Sequence, residues 1–379
     1  MYMMWRTRPD SITVWKNPEV INRLNRYYHL IHGKKIARFL LTKVMPIDID
    51  LNTDLPNLWQ EHDRLSKDFK KFVREHDEDA TPEIIPDPIH PSFLDLKITI
   101  ADEILKNCCF CERKCQVNRE IGKLGVCRVG KEAIVSSAFL HMGEETVLVP
   151  SGTIFFSGCT FKCVFCQNYS ISQKWQNPES GKIIDGVKRT PKQITGVVGA
   201  LAREGARNIN WVGGDPTSNL HVILHVLEDL DVNICQLWNS NMYLSVEGMK
   251  LLLEVMDFWL PDLKYANDDF AKRMSKISNY WSFVTRNIKM AYDKGSGEMI
   301  IRHLVMPGRI ETDTYPILEW CAKNTPKALV NVMGQYRPMH LVQKHPDRFQ
   351  DINRSITYEE LTLARNKAEE LGILWQPVS

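Results

Sequence analysis

From Ser151 onward the chain repeats one unit: a short apolar run fit for a buried strand, a polar break, then a longer segment with apolar residues at helical spacing. The strand candidates are Thr153 to Ser157, Asn208 to Val212, Val232 to Trp238, Phe258 to Leu263, Met299 to Met306 and Leu329 to Met333. Between and after them lie helix candidates at Pro191 to Arg203, Leu220 to Leu230, Val246 to Val255, Ala271 to Asp293, Thr314 to Lys323 and Tyr358 to Leu371. Alternation of this kind predicts an α/β architecture with parallel strands, because a parallel pair needs a crossover long enough to hold a helix. Residues 1–95 break the pattern. They are rich in Lys, Arg, Asp and Asn, offer helices at Pro18 to Leu41 and Leu58 to Glu75, and read as an appended, mainly helical extension. Thr81 to Pro88 reads as a linker, since its prolines fix the backbone and remove donors. Residues 96–150 form a Cys-rich segment and residues 151–379 the core.

Composition changes this picture little. At 379 residues, 44% hydrophobic and 25% charged, the chain has an ordinary soluble makeup with room for about two or three domains. A net charge of +2 gives no argument for a nucleic-acid or membrane-surface partner, and none is expected. No window offers the ~20 uninterrupted apolar residues of a spanning helix, and Met1 to Asp10 lacks an apolar signal core, so the expectation is cytoplasmic.

The cysteines change it a great deal. Eight of the ten fall between Cys108 and Cys166, a clustering that without a secretion signal reads as metal binding; Cys235 and Cys321 read as core. His29, His32 and His62 read as scattered surface histidines. Cys159, Cys163 and Cys166 follow directly on the first strand candidate, at C-x3-C-x2-C spacing, so a strand ending in this loop points three thiolates at one spot. A closed zinc site wants four ligands and a self-contained four-iron cluster normally takes four cysteines, so three leave one iron open. The competing readings are a zinc knuckle and three small core residues. Upstream, Cys108, Cys111, Cys115 and Cys127 make a complete set of four, with Gly122 and Gly125 for the tight turns and Cys109 as an alternative to Cys108. Such a set holds either structural zinc, the simpler occupant, or an auxiliary iron-sulfur cluster.

The stretch Cys159-Thr160-Phe161-Lys162-Cys163-Val164-Phe165-Cys166 resembles the signature of radical S-adenosylmethionine (radical SAM) enzymes, with Phe165 in the aromatic place. Four further segments are similar to the pyruvate formate-lyase activating enzymes and related proteins, the likeness covering roughly residues 105–340. Gly213-Gly214-Asp215-Pro216 resembles the family's Gly-Gly-Glu-Pro, Trp238-Asn239-Ser240-Asn241 its Asp-Thr-Asn-Gly, Asp262-Leu263-Lys264 its Asp-Leu-Lys, and Arg302 its strand arginine. The resemblance implies a partial (β/α)6 barrel, a [4Fe-4S] cluster on Cys159, Cys163 and Cys166, and S-adenosylmethionine as the ligand of the open iron. It implies Phe165 against the adenine, cofactor contacts from Gly213, Gly214, Asp215, Asn239 and Arg302, and Asp262 and Lys264 at the reaction chamber. An ion pair with Asp262 is the competing expectation for Arg302. The implied activity is reductive cleavage of S-adenosylmethionine to a 5′-deoxyadenosyl radical, with a flavodoxin or ferredoxin as electron donor. The substrate is then a glycine of a partner enzyme, or alternatively a small molecule, peptide or RNA. A non-enzymatic electron carrier or zinc-stabilised binding protein is the remaining class.

Overall fold

The structure, a computed structural model, describes residues 7–79, 85, 87–173 and 185–379; most of the expected linker lies outside them. Among the described residues run eight strands: β1 (Ala133–His141), β2 (Ser151–Phe156), β3 (Val187–Arg189), β4 (Asn208–Gly213), β5 (Cys235–Ser240), β6 (Phe258–Pro261), β7 (Ile300–Leu304) and β8 (Leu329–Met333). β2, β4, β5 and β6 pair in parallel in that order, as do β7 and β8. Bridges from Trp259 to Met299 and from Asp262 to Arg302 carry the sheet across from β6 to β7. The six expected strands therefore follow one another in chain order, and β5 and β6 are buried along their whole length, as parallel strands covered on both faces must be.

The sheet curves. Glu144, in the loop after β1, accepts from Asn210 of β4 at 3.0 Å, while its neighbour Glu145 accepts from Asn331 of β8 at 2.9 Å. One loop reaches both only if the strands wrap around it, which makes the arc a partial barrel. β1 and β3, absent from the sequence expectation, extend the β2 edge by antiparallel pairing. Ala133-Ile134-Val135-Ser136-Ser137-Ala138 lacks the strict alternation that marks a half-buried strand.

Two expected helices are broken. The segment Ala271 to Asp293 divides into Asp268–Ser275 and Tyr280–Lys294, because Lys276 (φ 57°) and Asn279 (φ 51°) take left-handed backbone. Pro18 to Leu41 becomes Pro18–Arg23, Asn25–Ile31 and Arg38–Thr42, interrupted where Leu24 leaves helical geometry and Gly33 turns with φ 69°. These helices are packed against the barrel rather than hung beside it. Tyr27 packs its ring at a tilt against Phe258, 4.8 Å between ring centres, Glu298 accepts the N–H groups of Arg26 and Tyr27 at 2.6 and 2.7 Å, and Asp257 accepts that of Arg38 at 2.9 Å. Asp257, Phe258 and Glu298 stand where strands begin, so the N-terminal helices close that end and leave the carboxyl ends to the cysteine loop. His62, expected at the surface, is fully buried and takes a hydrogen bond from Lys97, whose ammonium also pairs with Glu254 at 2.6 Å. A lysine so enclosed persists only because every donor is used. No helix among the described residues is long and apolar enough to cross a membrane.

Candidate active site at the carboxyl ends of the strands

β2 ends at Phe156, and Gly158 then turns with φ 92° into the cysteine loop. Backbone bonds pin this loop from three sides: Lys162 and Val164 donate to Ser275 and Met274 at 3.0 and 2.9 Å, Leu341 donates to Val164 at 2.9 Å, and Gly158 donates to Ile171 at 2.8 Å. Cys159 is buried, with Cys163 and Cys166 half-buried beside it. Burial pushes the Cys159 thiol well above its ordinary range and Cys163 up to about 12, so thiolates here call for a compensating cation. Each sulfur already meets one donor group: the Phe161 N–H at 3.3 Å from Cys159, the Ser275 hydroxyl at 2.9 Å from Cys163 and the Ser172 hydroxyl at 3.2 Å from Cys166. No three His, Cys, Asp or Glu side chains among the described residues converge at the spacing of a single ion. Three neighbouring thiols on one pinned loop are one ligand short of a closed zinc site or a four-cysteine cluster.

The Gly-Gly turn lies against this loop. A Cβ on Gly213 (φ 130°) would stand 2.1 Å from the Phe156 carbonyl oxygen, and one on Gly214 would stand 2.0 Å from that of Gly158. Gly214 N–H donates to Phe156 at 2.8 Å and Asp215 N–H to Gly158 at 2.9 Å. The missing side chains thus let β4 close on the loop backbone, and those two N–H groups are spent there. Asp215 is buried and accepts from Thr217 N–H at 3.0 Å, Ser240 hydroxyl at 3.1 Å and Asn241 N–H at 3.0 Å, which ties the end of β4 to the end of β5. Phe165 is likewise buried, its ring tilted against Tyr336 at 5.7 Å.

Inside the barrel a second pattern emerges. Phe155, Val212, Asp262, Lys264, Arg302, Leu304 and Met333 are half-exposed while their chain neighbours on β7 and beside Asp262 are buried. On β4, β7 and β8 they share the face of Asn210, Arg302 and Asn331, the face that meets Glu144 and Glu145. They face the barrel interior and are partly accessible. Lys264 pairs with Asp262 at 2.6 Å, and Arg302 Nε donates to the same carboxylate at 2.8 Å. Burial alone would raise the Asp262 pKa, but Arg302 and Lys264 outweigh it and hold the group below the usual carboxylate range.

Arg302 also donates to Asn239 and lies 3.7 Å from Glu144. Of the two expectations for this arginine, the geometry supports the ion pair. Its charge compensates Asp262 after β6 and Glu144 and Glu145 in the loop after β1, and Asn239 accepts from it as well. Arg302→Lys is accordingly expected to change S-adenosylmethionine affinity by less than about threefold, under ~0.7 kcal/mol. Stability should fall by about 1 kcal/mol or more, because an ammonium cannot span the same acceptors. Cofactor titration and thermal melting on the one variant check this, and a tenfold loss of affinity at unchanged melting temperature would return Arg302 to the cofactor.

The Cys-rich segment winds tightly over the loop, with left-handed residues at Lys114, Gln116, Gly122 and Arg128. The Cys111 thiol has Cys127, Cys108 and Cys115 as electrostatic neighbours, whereas Cys109 faces Glu247, Glu112 and Lys114 besides Cys108. Cys108 thus neighbours both Cys111 and Cys127. Gly125 leaves room for Cys115, since a Cβ there would stand 2.9 Å from its sulfur. Arg113 donates to the Thr160 carbonyl at 2.7 Å and so joins this segment to the cysteine loop.

Residues 153–321 match the family model of the radical SAM superfamily. The chain belongs to that superfamily. It is 42% identical over 355 residues to the uncharacterized protein MJ0674 of Methanocaldococcus jannaschii, covering 93% of this chain and 98% of that protein. Among solved structures, a domain of pyruvate-formate lyase-activating enzyme from Bacteroides vulgatus is similar at 14% identity and TM-score 0.36, covering 45% of this chain and 97% of that one. QueE from Escherichia coli is similar at 13% identity and TM-score 0.40, covering 64% and 92%. Radical SAM membership carries enzyme catalysis by S-adenosylmethionine-dependent radical chemistry, with a [4Fe-4S] cluster. Sequence reading missed Glu144, Glu145, Ser172, Tyr265 and Ser275, none of which sits in a motif.

Proposed function

We propose that Cys159, Cys163 and Cys166 hold the cluster, and that the chamber beneath them takes a substrate for hydrogen abstraction. The observation that carries this is the position of the three-thiol loop, pinned over a barrel interior whose strand residues stay half-exposed. When bound, the cluster supplies the electron that splits the sulfonium of S-adenosylmethionine and yields a 5′-deoxyadenosyl radical. The chain's own residues confine it. Phe155, Val212, Leu304 and Met333 present apolar walls that keep water from a reactive centre, while the Lys264–Asp262–Arg302 array fixes charge at the rim without leaving an unpaired ion. With two N–H groups of the Gly-Gly-Asp turn spent on the loop, that turn offers its carbonyl groups to a cofactor amine. For the substrate the leading reading is a backbone glycine of a partner enzyme; the alternative is a small molecule, peptide or RNA.

Anaerobic chain given dithionite and S-adenosylmethionine is expected to release 5′-deoxyadenosine, measured by chromatography. No release would place the chain with non-enzymatic iron-sulfur carriers. A glycyl-radical resonance on adding a candidate partner would support activation, and label transfer from a small substrate would support the alternative.

A further inference from the structure

Cys163 ends a buried relay. Its sulfur lies 2.9 Å from the Ser275 hydroxyl, which lies 2.7 Å from the phenol of Tyr265. Both Ser275 and Tyr265 are completely buried. An iron-bound cysteine sulfur carries no proton and can only accept, so Ser275 must donate to it; the serine oxygen then accepts the Tyr265 proton. The backbone leaves no freedom in this. Ser275 is the last residue of its helix, and its carbonyl receives the Lys162 N–H of the cysteine loop at 3.0 Å. At Cys166 the Ser172 hydroxyl, also buried, stands in the same relation at 3.2 Å.

We infer that Ser275, oriented by Tyr265, and Ser172 are positioning residues that set the reduction potential of the cluster by donating hydrogen bonds to its cysteine sulfurs. This rests on the proposed function. A donor aimed at a ligand sulfur draws off negative charge, favours the more negative reduced state and raises the potential. Tyr265 acts only through Ser275. Its contribution is to hold the serine proton toward sulfur and strengthen that bond by polarisation.

The test is a redox titration of the full chain, reconstituted anaerobically with iron and sulfide. It follows the paramagnetic signal that disappears when Cys159, Cys163 and Cys166 are all alanine. Ser275→Ala and Ser172→Ala should each lower the midpoint at unchanged iron content, while Ser275→Thr, which keeps the hydroxyl, should restore most of it. Tyr265→Phe should lower it less, and should add nothing in the Ser275→Ala background. An unchanged midpoint in Ser275→Ala overturns the inference, as does an additive effect of Tyr265→Phe. If Ser275→Ala fails to take up iron, Tyr265→Phe decides alone: a lowered midpoint supports the relay and an unchanged one overturns it. A native loop that binds no cluster would overturn the proposed function and this inference with it; a cluster indifferent to these hydroxyls would overturn this inference only.

Discussion

Simultaneous replacement of Cys159, Cys163 and Cys166 by alanine is expected to abolish 5′-deoxyadenosine formation and remove the iron of the loop site while the chain stays folded. Between Ser157 and Asn168 the three cysteines stand without any His, Asp or Glu that could take their place. Folding survives because the loop is held by its backbone, through Lys162, Val164, Gly158 and Leu341, and none of these bonds passes through a sulfur. Trimming three thiols to methyl groups forfeits their burial, yet this is small beside the continuous apolar core that runs from the N-terminal helices through the barrel. Iron analysis, cofactor cleavage and melting temperature on one preparation give the answer. Cleavage at the native rate would remove the loop from the account.

The second large effect is expected at Gly214. A Cβ there would lie 2.0 Å from the Gly158 carbonyl oxygen, far inside the 3.4 Å at which ordinary contact begins. Neither side can yield cheaply. Gly214 donates to Phe156 and Asp215 to Gly158, so the two chains are laced together where the methyl would enter. Gly214→Ala should therefore cost more than about 4 kcal/mol, beyond ordinary overpacking. Because the displaced partner is the base of the cysteine loop, iron uptake should fall along with the melting temperature. Gly196 is the control: it sits inside the helix Pro191–Arg203 with nothing within 4 Å of a built Cβ, so alanine there should gain about 0.8–1 kcal/mol. A Gly214→Ala chain as stable and iron-replete as the native one would refute the close-packing explanation for this glycine pair.

Those two expectations divide along what is local. The three-cysteine loop was legible because its cysteines lie within eight residues directly after a strand, and the parallel strands because each is a short, apolar-rich segment set between helical ones. The four-cysteine set was legible for the same reason of spacing. Helix breaks at Lys276 and Asn279 were not, since neither residue is a glycine or proline and both nonetheless take left-handed backbone.

The sequence by itself determined the α/β class, the parallel strands and the clustering of the loop cysteines, because each is encoded in neighbouring residues, while the barrel was implied only by the resemblance of the motifs. Tertiary structure alone decided who meets whom across the barrel. Arg302 faces Asp262, Asn239 and Glu144 from positions scattered over the chain, Ser275 reaches Cys163 from more than a hundred residues away, and Tyr27 closes on Phe258. No periodicity announces such pairs. They arise only when the sheet curves and brings the interior faces of separate strands within hydrogen-bond reach, and that curvature is a property of the packed whole.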